Sequence, residues 1–346
     1  MKILHILNSS SFSGAENVAI TIIKQLEKDS NYECYYVSPR GQIEEKLKKE
    51  EVKYIPIEKL CRKELKKIIK EYKPDIIHAH DFRASIISAL TVPNGIKIIS
   101  HIHNNPVWIK KINIYSFLYL ICSIRFDKIL LVSKAIQDEY IFRKCIQKKC
   151  IIIGNIINTK DVIEKAVKEK KDVQYDICFN GRLTEQKAPL KFINLIKKIK
   201  KEVPNIKAIM IGNGNLKKEC EKTIEENNLE ENITLIGFLE NPYPIMNKSK
   251  ILCMTSKWEG YGLVAVEALT LSKPVVATNV GGIPGIVDEN CGKVCNNDEE
   301  MIEEMKKLLK DKKYYENKSK NTKTKLEKIN DLPQYIIKLK KIYEID

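Results

Sequence analysis

Glu259 and Glu267 stand eight positions apart in the segment Trp258-Glu259-Gly260-Tyr261-Gly262-Leu263-Val264-Ala265-Val266-Glu267-Ala268-Leu269. Gly260 and Gly262 disfavour a helix interior, so the pattern predicts a helix beginning near Leu263, after an apolar strand at Ile251–Met254, with Glu259 in the loop between. From Leu263 to Leu271 every residue except Glu267 and Thr270 is apolar, the signature of a helix buried on most sides. A carboxylate in such a helix is costly unless it is hydrogen-bonded. A sugar or a ribose diol supplies those bonds, and amides at the helix start suit a phosphate. The plain alternative is a Glu paired with a buried Lys or Arg; the ligand reading is preferred for both.

Four other segments carry candidate chemistry. Gly181-Arg182-Leu183-Thr184-Glu185-Gln186-Lys187 precedes Ala188-Pro189 and a helix from Leu190. Arg182, with its planar fork, and Lys187, a point charge, suit a diphosphate, although surface cations are the ordinary reading. Ile209-Met210-Ile211-Gly212-Asn213-Gly214 ends a strand in a glycine turn that lets a ligand approach the backbone, without completing a dinucleotide fingerprint. Ser11-Phe12-Ser13-Gly14-Ala15-Glu16 joins a strand to an amphipathic helix, where Gly14 either offers amides to a phosphate or makes an ordinary turn. His78 with His80, and His101 with His103, share strand faces. No Asp, Glu or Cys completes a metal set with good spacing, so hydrogen bonding to a sugar near its reacting carbon is preferred over a metal.

The elements around these residues alternate. Short β-branched runs recur at Ile3–Leu7, Glu33–Val37, Asp75–His78, Lys97–Ser100, Lys128–Val132 and Cys150–Ile153, with amphipathic segments between them. After a polar stretch from Asn155 to Gln174, taken as the domain boundary, they resume at Tyr175–Asn180, Ala208–Ile211, Ile233–Ile236, Ile251–Met254 and Pro274–Thr278. This predicts two doubly wound parallel-sheet domains with ligands at the carboxyl ends of the strands. A length of 346 residues agrees with two cores. No apolar run is long enough to cross a bilayer, and the first residues are too short for a signal segment. Ten irregularly spaced cysteines without Cys-x-x-Cys fit a reduced, cytoplasmic setting.

The net charge of +15 is concentrated in residues 1–150, with 26 Lys+Arg against 16 Asp+Glu. Lys59, Arg62, Lys63, Lys66, Lys67, Lys70 and Lys73 make a basic helix face, which either attracts phosphates or is simply solvated. No nucleic-acid motif accompanies it. The uncharged run Ile112–Ile124, between Lys110-Lys111 and Arg125, reads as a core helix in preference to one that touches lipid. Together with the basic face it nonetheless admits an anionic membrane surface.

The chain resembles retaining glycosyltransferase family 4, especially members that build bacterial surface polysaccharides. The resemblance rests on Glu259 and Glu267 as an E-x7-E element, on Asn241-Pro242-Tyr243-Pro244, and on Lys273-Pro274-Val275-Val276-Ala277-Thr278 and Gly281-Gly282-Ile283-Pro284. It implies a GT-B fold, with two Rossmann-like domains facing across a cleft. The acceptor domain is expected at residues 1–158, with a closing helix from 331–346 packed back onto it, and the nucleotide-sugar domain at residues 159–330. It further implies ribose bonding by Glu267, donor-sugar hydroxyls at Glu259, a diphosphate clamp of Arg182 and Lys187, and a nucleobase loop at Gly237-Phe238-Leu239-Glu240. His103 matches the histidine beside the reacting sugar, and Gly14 the glycine turn of the first domain. The nucleotide sugar is thus expected against Gly14, Arg182, Lys187, Gly212, Leu239, Glu259, Gly260, Tyr261, Gly262, Leu263 and Glu267, with His103, Glu259, Arg182 and Lys187 catalytic.

Three departures stand out: Ser13-Gly14 replaces Gly-Gly, Asn155-Ile156-Ile157-Asn158 replaces Asn-Gly-Ile-Asp, and Ala188 replaces a common Gly, which should tighten the helix start. The implied donor is a UDP-sugar, transferred with retention and without a divalent metal or other cofactor, the leaving phosphate taking the acceptor's proton. The acceptor is a glycan or lipid-linked saccharide, and the setting is the cytoplasm or the inner face of its membrane. A UDP-sugar epimerase of the same fold and a non-catalytic nucleotide-sugar binder are the competing classes.

Overall fold

The computed structural model describes residues 1–11, 13–167 and 174–344. The chain divides into two compact units, Met1–Ile157 together with the segment from Asp331 onward, and Asn158–Asn330.

The first unit holds seven strands: β1 (Lys2–Ile6), β2 (Glu33–Pro39), β3 (Tyr54–Ile57), β4 (Ile76–Ala79), β5 (Lys97–Ile102), β6 (Lys128–Leu131) and β7 (Cys150–Ile152). They form one parallel sheet in the order β3-β2-β1-β4-β5-β6-β7. The second unit holds β8 (Tyr175–Asn180), β9 (Ala208–Ile211), β10 (Ile233–Gly237), β11 (Ser249–Met254), β12 (Val275–Thr278) and β13 (Gly292–Cys295). These are also all parallel, in the order β10-β9-β8-β11-β12-β13. Helices on both faces explain why successive residues of central strands are buried: Ile3, Leu4 and Ile6 of β1, and Ile177, Cys178 and Phe179 of β8. Strand order reverses between β1 and β4 and between β8 and β11, the switch points at which open α/β sheets gather ligands.

Two strands escape the sequence pattern, β3 and β13, both at sheet edges. β3 carries Pro56 and β13 is only Gly-Lys-Val-Cys, and edge strands tolerate such residues because one flank needs no ladder. The polar stretch taken as a boundary contains a helix, Thr159–Ala166, whose first turn is capped by Asn158 accepting from the Asp161 amide. Lys168, Glu169, Lys170, Lys171 and Asp172 of that stretch, and Phe12 of the first turn, lie outside the described residues.

The reading of Ile112–Ile124 as a core helix is corrected. A helix does form over Ile114–Cys122, opened by a capping box between Asn113 and Ser116, but only Ser116, Tyr119 and Cys122 are buried. Ile114 is 75% exposed, Phe117 52% and Ile124 77%. The basic helix Arg62–Tyr72, the helix Phe82–Ala89 and this apolar helix touch in sequence, making one continuous layer. At the chain's end, the helix Leu332–Glu344 lies against the helix Gly14–Leu26, inside the first unit.

Candidate functional site

In the second unit, the loops that follow β8 and β11 at the switch point are tied together by main-chain and side-chain bonds. Lys257 N donates to Gln186 O at 2.7 Å, Gln186 Nε2 to Trp258 O at 3.1 Å, and Thr255 Oγ1 to Lys187 O at 2.9 Å. Glycines allow the loops to sit this close. Gly281 has φ +55°, and a Cβ there would fall 1.6 Å from Glu259 O, while the Gly282 amide donates to that same oxygen at 3.3 Å. The Gly281-Gly282 turn therefore fixes the backbone of Glu259 from the β12 side.

Gly212 also has a specific reason in the packing of the loops. Its φ is +144° and a Cβ would lie 1.9 Å from Gly181 O; a Cβ on Gly214 would lie 2.3 Å from Leu183 O. These glycines permit a close approach to the neighbouring loop of the protein. Leu183 N donating to Asn213 O at 2.9 Å locks the contact and thereby positions Arg182. Arg182 itself is exposed and donates to Gln186 Oε1 at 3.0 Å. Ala188 holds a left-handed backbone, φ +47°, directly before Pro189, so it does not tighten the helix start. A glycine suits that conformation better.

The two carboxylates have separate environments. Glu259, 6% exposed, accepts from Lys187 Nζ and from Ser256 Oγ at 2.8 Å. For Glu259 the ion pair set aside above is what the protein makes, because Lys187 and Glu259 stand on adjacent loops of the β8–β11 switch point. Among the described residues, Glu267 makes no such salt bridge. It lies on the helix Leu263–Thr270, whose start is set by Gly262 at φ +110°; Leu263, Val264 and Glu267 mark its half-open face, and the other residues are buried. The Tyr243 hydroxyl donates to Glu267 Oε1 at 3.2 Å. Burial raises the Glu267 carboxyl to about 7, against the opposing pull of the Tyr243 hydroxyl and the Lys187 charge. Lys187 thus acts electrostatically on both glutamates. Gly260 and Tyr261 are buried in the same loop, and Leu239 is half-buried beyond Gly237, where φ is +78°. Tyr243, Ser256 and Gln186 are the polar partners that sequence reasoning missed. Tyr243 stood in a quoted motif, but nothing in the spacing paired it with Glu267.

In the first unit all five histidines of the chain converge at the carboxyl ends of β1, β4 and β5. His5, which sequence reasoning left out, joins His78, His80, His101 and His103. His103 Nδ1 faces Asn155 Oδ1 at 2.9 Å, His103 Nε2 faces His80 Nδ1 at 3.1 Å, and His80 Nε2 faces His5 Nδ1 at 2.9 Å. With Asn155 Oδ1 as acceptor, each ring in that row donates from Nδ1. A second row runs from His101 Nδ1 to His78 Nε2 at 3.1 Å and from His78 Nδ1 to the Tyr343 hydroxyl at 2.6 Å. Burial lowers His5 to about 3 and His103 to about 4, and holds the other three well below their ordinary value, so the rings are neutral near pH 7. Both nitrogens of His103 are engaged inside the protein. Donation to a sugar, the role expected of it, requires that ring to release His80. Gly14 opens the helix Gly14–Leu26 beside the bond from Ser13 Oγ to the buried Glu16 side chain, whose carboxyl is pushed up by burial.

Comparison with known proteins accords with this arrangement. Residues 12–161 match the profile of Glycosyltransferase Family 4, and residues 161–325 that of Glycosyl transferases group 1. An uncharacterized glycosyltransferase of Methanocaldococcus jannaschii is 30% identical over 290 residues, covering 81% of this chain and 78% of that one. The chain belongs to glycosyltransferase family 4. A Campylobacter jejuni 4-alpha-N-acetylgalactosaminyltransferase, named for a diphospho-undecaprenol-linked saccharide, is 31% identical over 189 residues, 53% of this chain. The chain spans about half of that relative's length, 51%, and 57% of a second M. jannaschii glycosyltransferase. Among solved structures, Anabaena HepE in complex with UDP and glucose superposes with a TM-score of 0.84 at 19% identity, over 99% of this chain and 98% of that one. The two sheets of this family member therefore make a GT-B fold.

Proposed function

We propose that the protein transfers a sugar, with retention of configuration, from a UDP-sugar to a glycan or lipid-linked saccharide acceptor during surface polysaccharide synthesis. The observation that carries this reading is the second unit's switch point, where Lys187 is paired with the buried Glu259 and its charge also acts on the half-buried Glu267, beside the start of a helix. Lys187 is neutralised by Glu259 in the free protein. A diphosphate that draws Lys187 toward itself, together with Arg182 and the amides around Leu263, receives a cation already desolvated and positioned. The released Glu259 then accepts hydroxyls of the donor sugar, and Glu267, held by Tyr243, accepts the ribose diol. Both sets of bonds offset the cost of these carboxylates. Fixed cations and helix amides stabilise the charge that builds on the departing diphosphate, which is the electrostatic part of the catalysis. The leaving phosphate takes the acceptor's proton.

The UDP ligand of HepE and the undecaprenol-linked substrate in the name of the Campylobacter relative support the donor and acceptor classes. Exposed Ile114, Phe117 and Ile124, on the layer that also carries the basic helix Arg62–Tyr72, support contact with an anionic membrane surface at its cytoplasmic side.

The test is a screen of nucleotide sugars for thermal stabilisation, followed by assay of the best donor with a lipid-linked saccharide and determination of the product's anomeric configuration. Stabilisation by UDP-sugars with transfer in the α-to-α sense is expected. Turnover of the nucleotide sugar with no acceptor would instead identify an epimerase, and binding without turnover a non-catalytic binder. Activity lost with excess chelator and restored by magnesium or manganese would refute metal-free donor chemistry.

A further inference from the structure

We propose that His80, His101 and His103 form a site for a borderline divalent transition metal of the zinc class. One ring nitrogen from each of the three lies within 4.8 Å of the others. His80 Nδ1 and His103 Nε2 stand 3.1 Å apart, near the roughly 3.3 Å edge of a tetrahedron whose metal–nitrogen bonds are about 2.0–2.1 Å. His101 Nε2 is buried in a fully enclosed ring and has no hydrogen-bond partner among the described residues. Leaving such an atom unpaired costs free energy, and a metal bond satisfies it.

The remaining nitrogen of each ring already has the partner that a ligating histidine needs. His103 Nδ1 donates to Asn155 Oδ1 at 2.9 Å, His101 Nδ1 faces His78 Nε2 at 3.1 Å, and His80 Nε2 faces His5 Nδ1 at 2.9 Å. Such outer bonds fix the tautomer and ring orientation of metal-bound imidazole. Binding needs no net loss of protons. The proton on His80 Nδ1 moves to Nε2 and is donated to His5 Nδ1, whose own proton moves to its partnerless Nε2. His103, the one half-exposed ring, provides the entry side and leaves a fourth position for water. A set of three neutral imidazoles selects zinc-class ions over magnesium and manganese. An ion held there occupies His103 Nε2 and keeps that ring from donating through it.

The probe is Co2+, added to the full-length, chelator-stripped protein and followed by visible d–d absorption. Saturation at about one equivalent, displacement by Zn2+, and no sulfur charge-transfer band are expected. His103→Gln should abolish the visible bands, and Asn155→Ala, which removes only an outer partner, should weaken binding about 10–100-fold. Cys145→Ser, at an exposed thiol, should change nothing. Absence of saturable binding, sulfur charge-transfer bands, or a His103→Gln protein that binds Co2+ as the parent does, each refutes the site. Circular dichroism of each variant separates loss of the metal from loss of the fold.

Discussion

Substitution of Glu267 by Gln should stabilise the ligand-free protein above neutral pH while weakening its hold on nucleotide. The carboxyl is raised from its ordinary 4.5 to about 7, chiefly by burial. The folded protein therefore binds more protons than the unfolded chain between those two values, and its stability falls as pH rises through that window. Above about pH 7 the penalty is complete. A shift of that size corresponds to about 3.4 kcal/mol as a ceiling, and because Glu267 lies on a half-open helix face roughly half of it is expected. Gln keeps the oxygen that accepts from the Tyr243 hydroxyl but carries no charge, so it removes the penalty and leaves the contact.

For a unit of this size, a gain of about 1.5–2 kcal/mol raises the melting temperature by about 3–8 °C. Calorimetry of both proteins at pH 5 and pH 8 should show that gain only at pH 8, since at pH 5 the native glutamate is already largely protonated. A difference of the same size at both pH values, or a loss of stability at pH 8, would refute the electrostatic account. Titration with UDP supplies the second half. A ribose diol bonds a carboxylate about twice as strongly as a neutral amide, so the variant should bind about 5–30-fold more weakly. Unchanged affinity would remove Glu267 from the ribose.

Lys187→Ala leaves Glu259 enclosed without its cation and should destabilise the protein by about 3 kcal/mol; adding Glu259→Gln should recover much of that loss in urea melts, since no unpaired charge then remains. Ala188→Gly relieves a left-handed residue and should be neutral or stabilising by up to about 1 kcal/mol, whereas Gly212→Ala forces a Cβ onto Gly181 O and should prevent stable folding; equal effects in the same melts would contradict the backbone argument. Phe117→Ser combined with Ile114→Ser should leave the melting temperature within about 1 °C and abolish flotation with anionic vesicles at low salt, because both side chains face outward; flotation equal to that of the parent would remove the helix from any membrane contact.

What was legible in the sequence followed from period and from backbone constraint. The central strands, the helix start at Leu263 after Gly262, and the isolated position of Glu267 all follow from local pattern, since a parallel strand buried on both faces and a glycine at positive φ leave marks within a few residues. The edge strands β3 and β13 leave weaker marks because only one flank is paired, and Pro56 reads as an interruption.

Partnerships across the fold left no local mark at all. Nothing near Glu259 announces Lys187, 72 residues away, and composition does not distinguish an apolar helix turned inward from one turned outward, as Ile114 and Phe117 demonstrate. The same holds for the histidines. Spacing showed two pairs on separate strands and left His5 out, while parallel pairing of β1, β4 and β5 brings five rings to one end of the sheet. The glycine turn at Gly212 shows the converse case, a local signal for a close backbone approach whose protein neighbour, the Gly181 carbonyl, the segment itself does not name. In each instance the chemistry depends on which strand ends adjoin, and in an open parallel sheet that order is set by crossovers that no single segment encodes. The functional reading therefore rests on the β8–β11 switch point, where strand order itself brings Lys187 against Glu259 and its charge near Glu267.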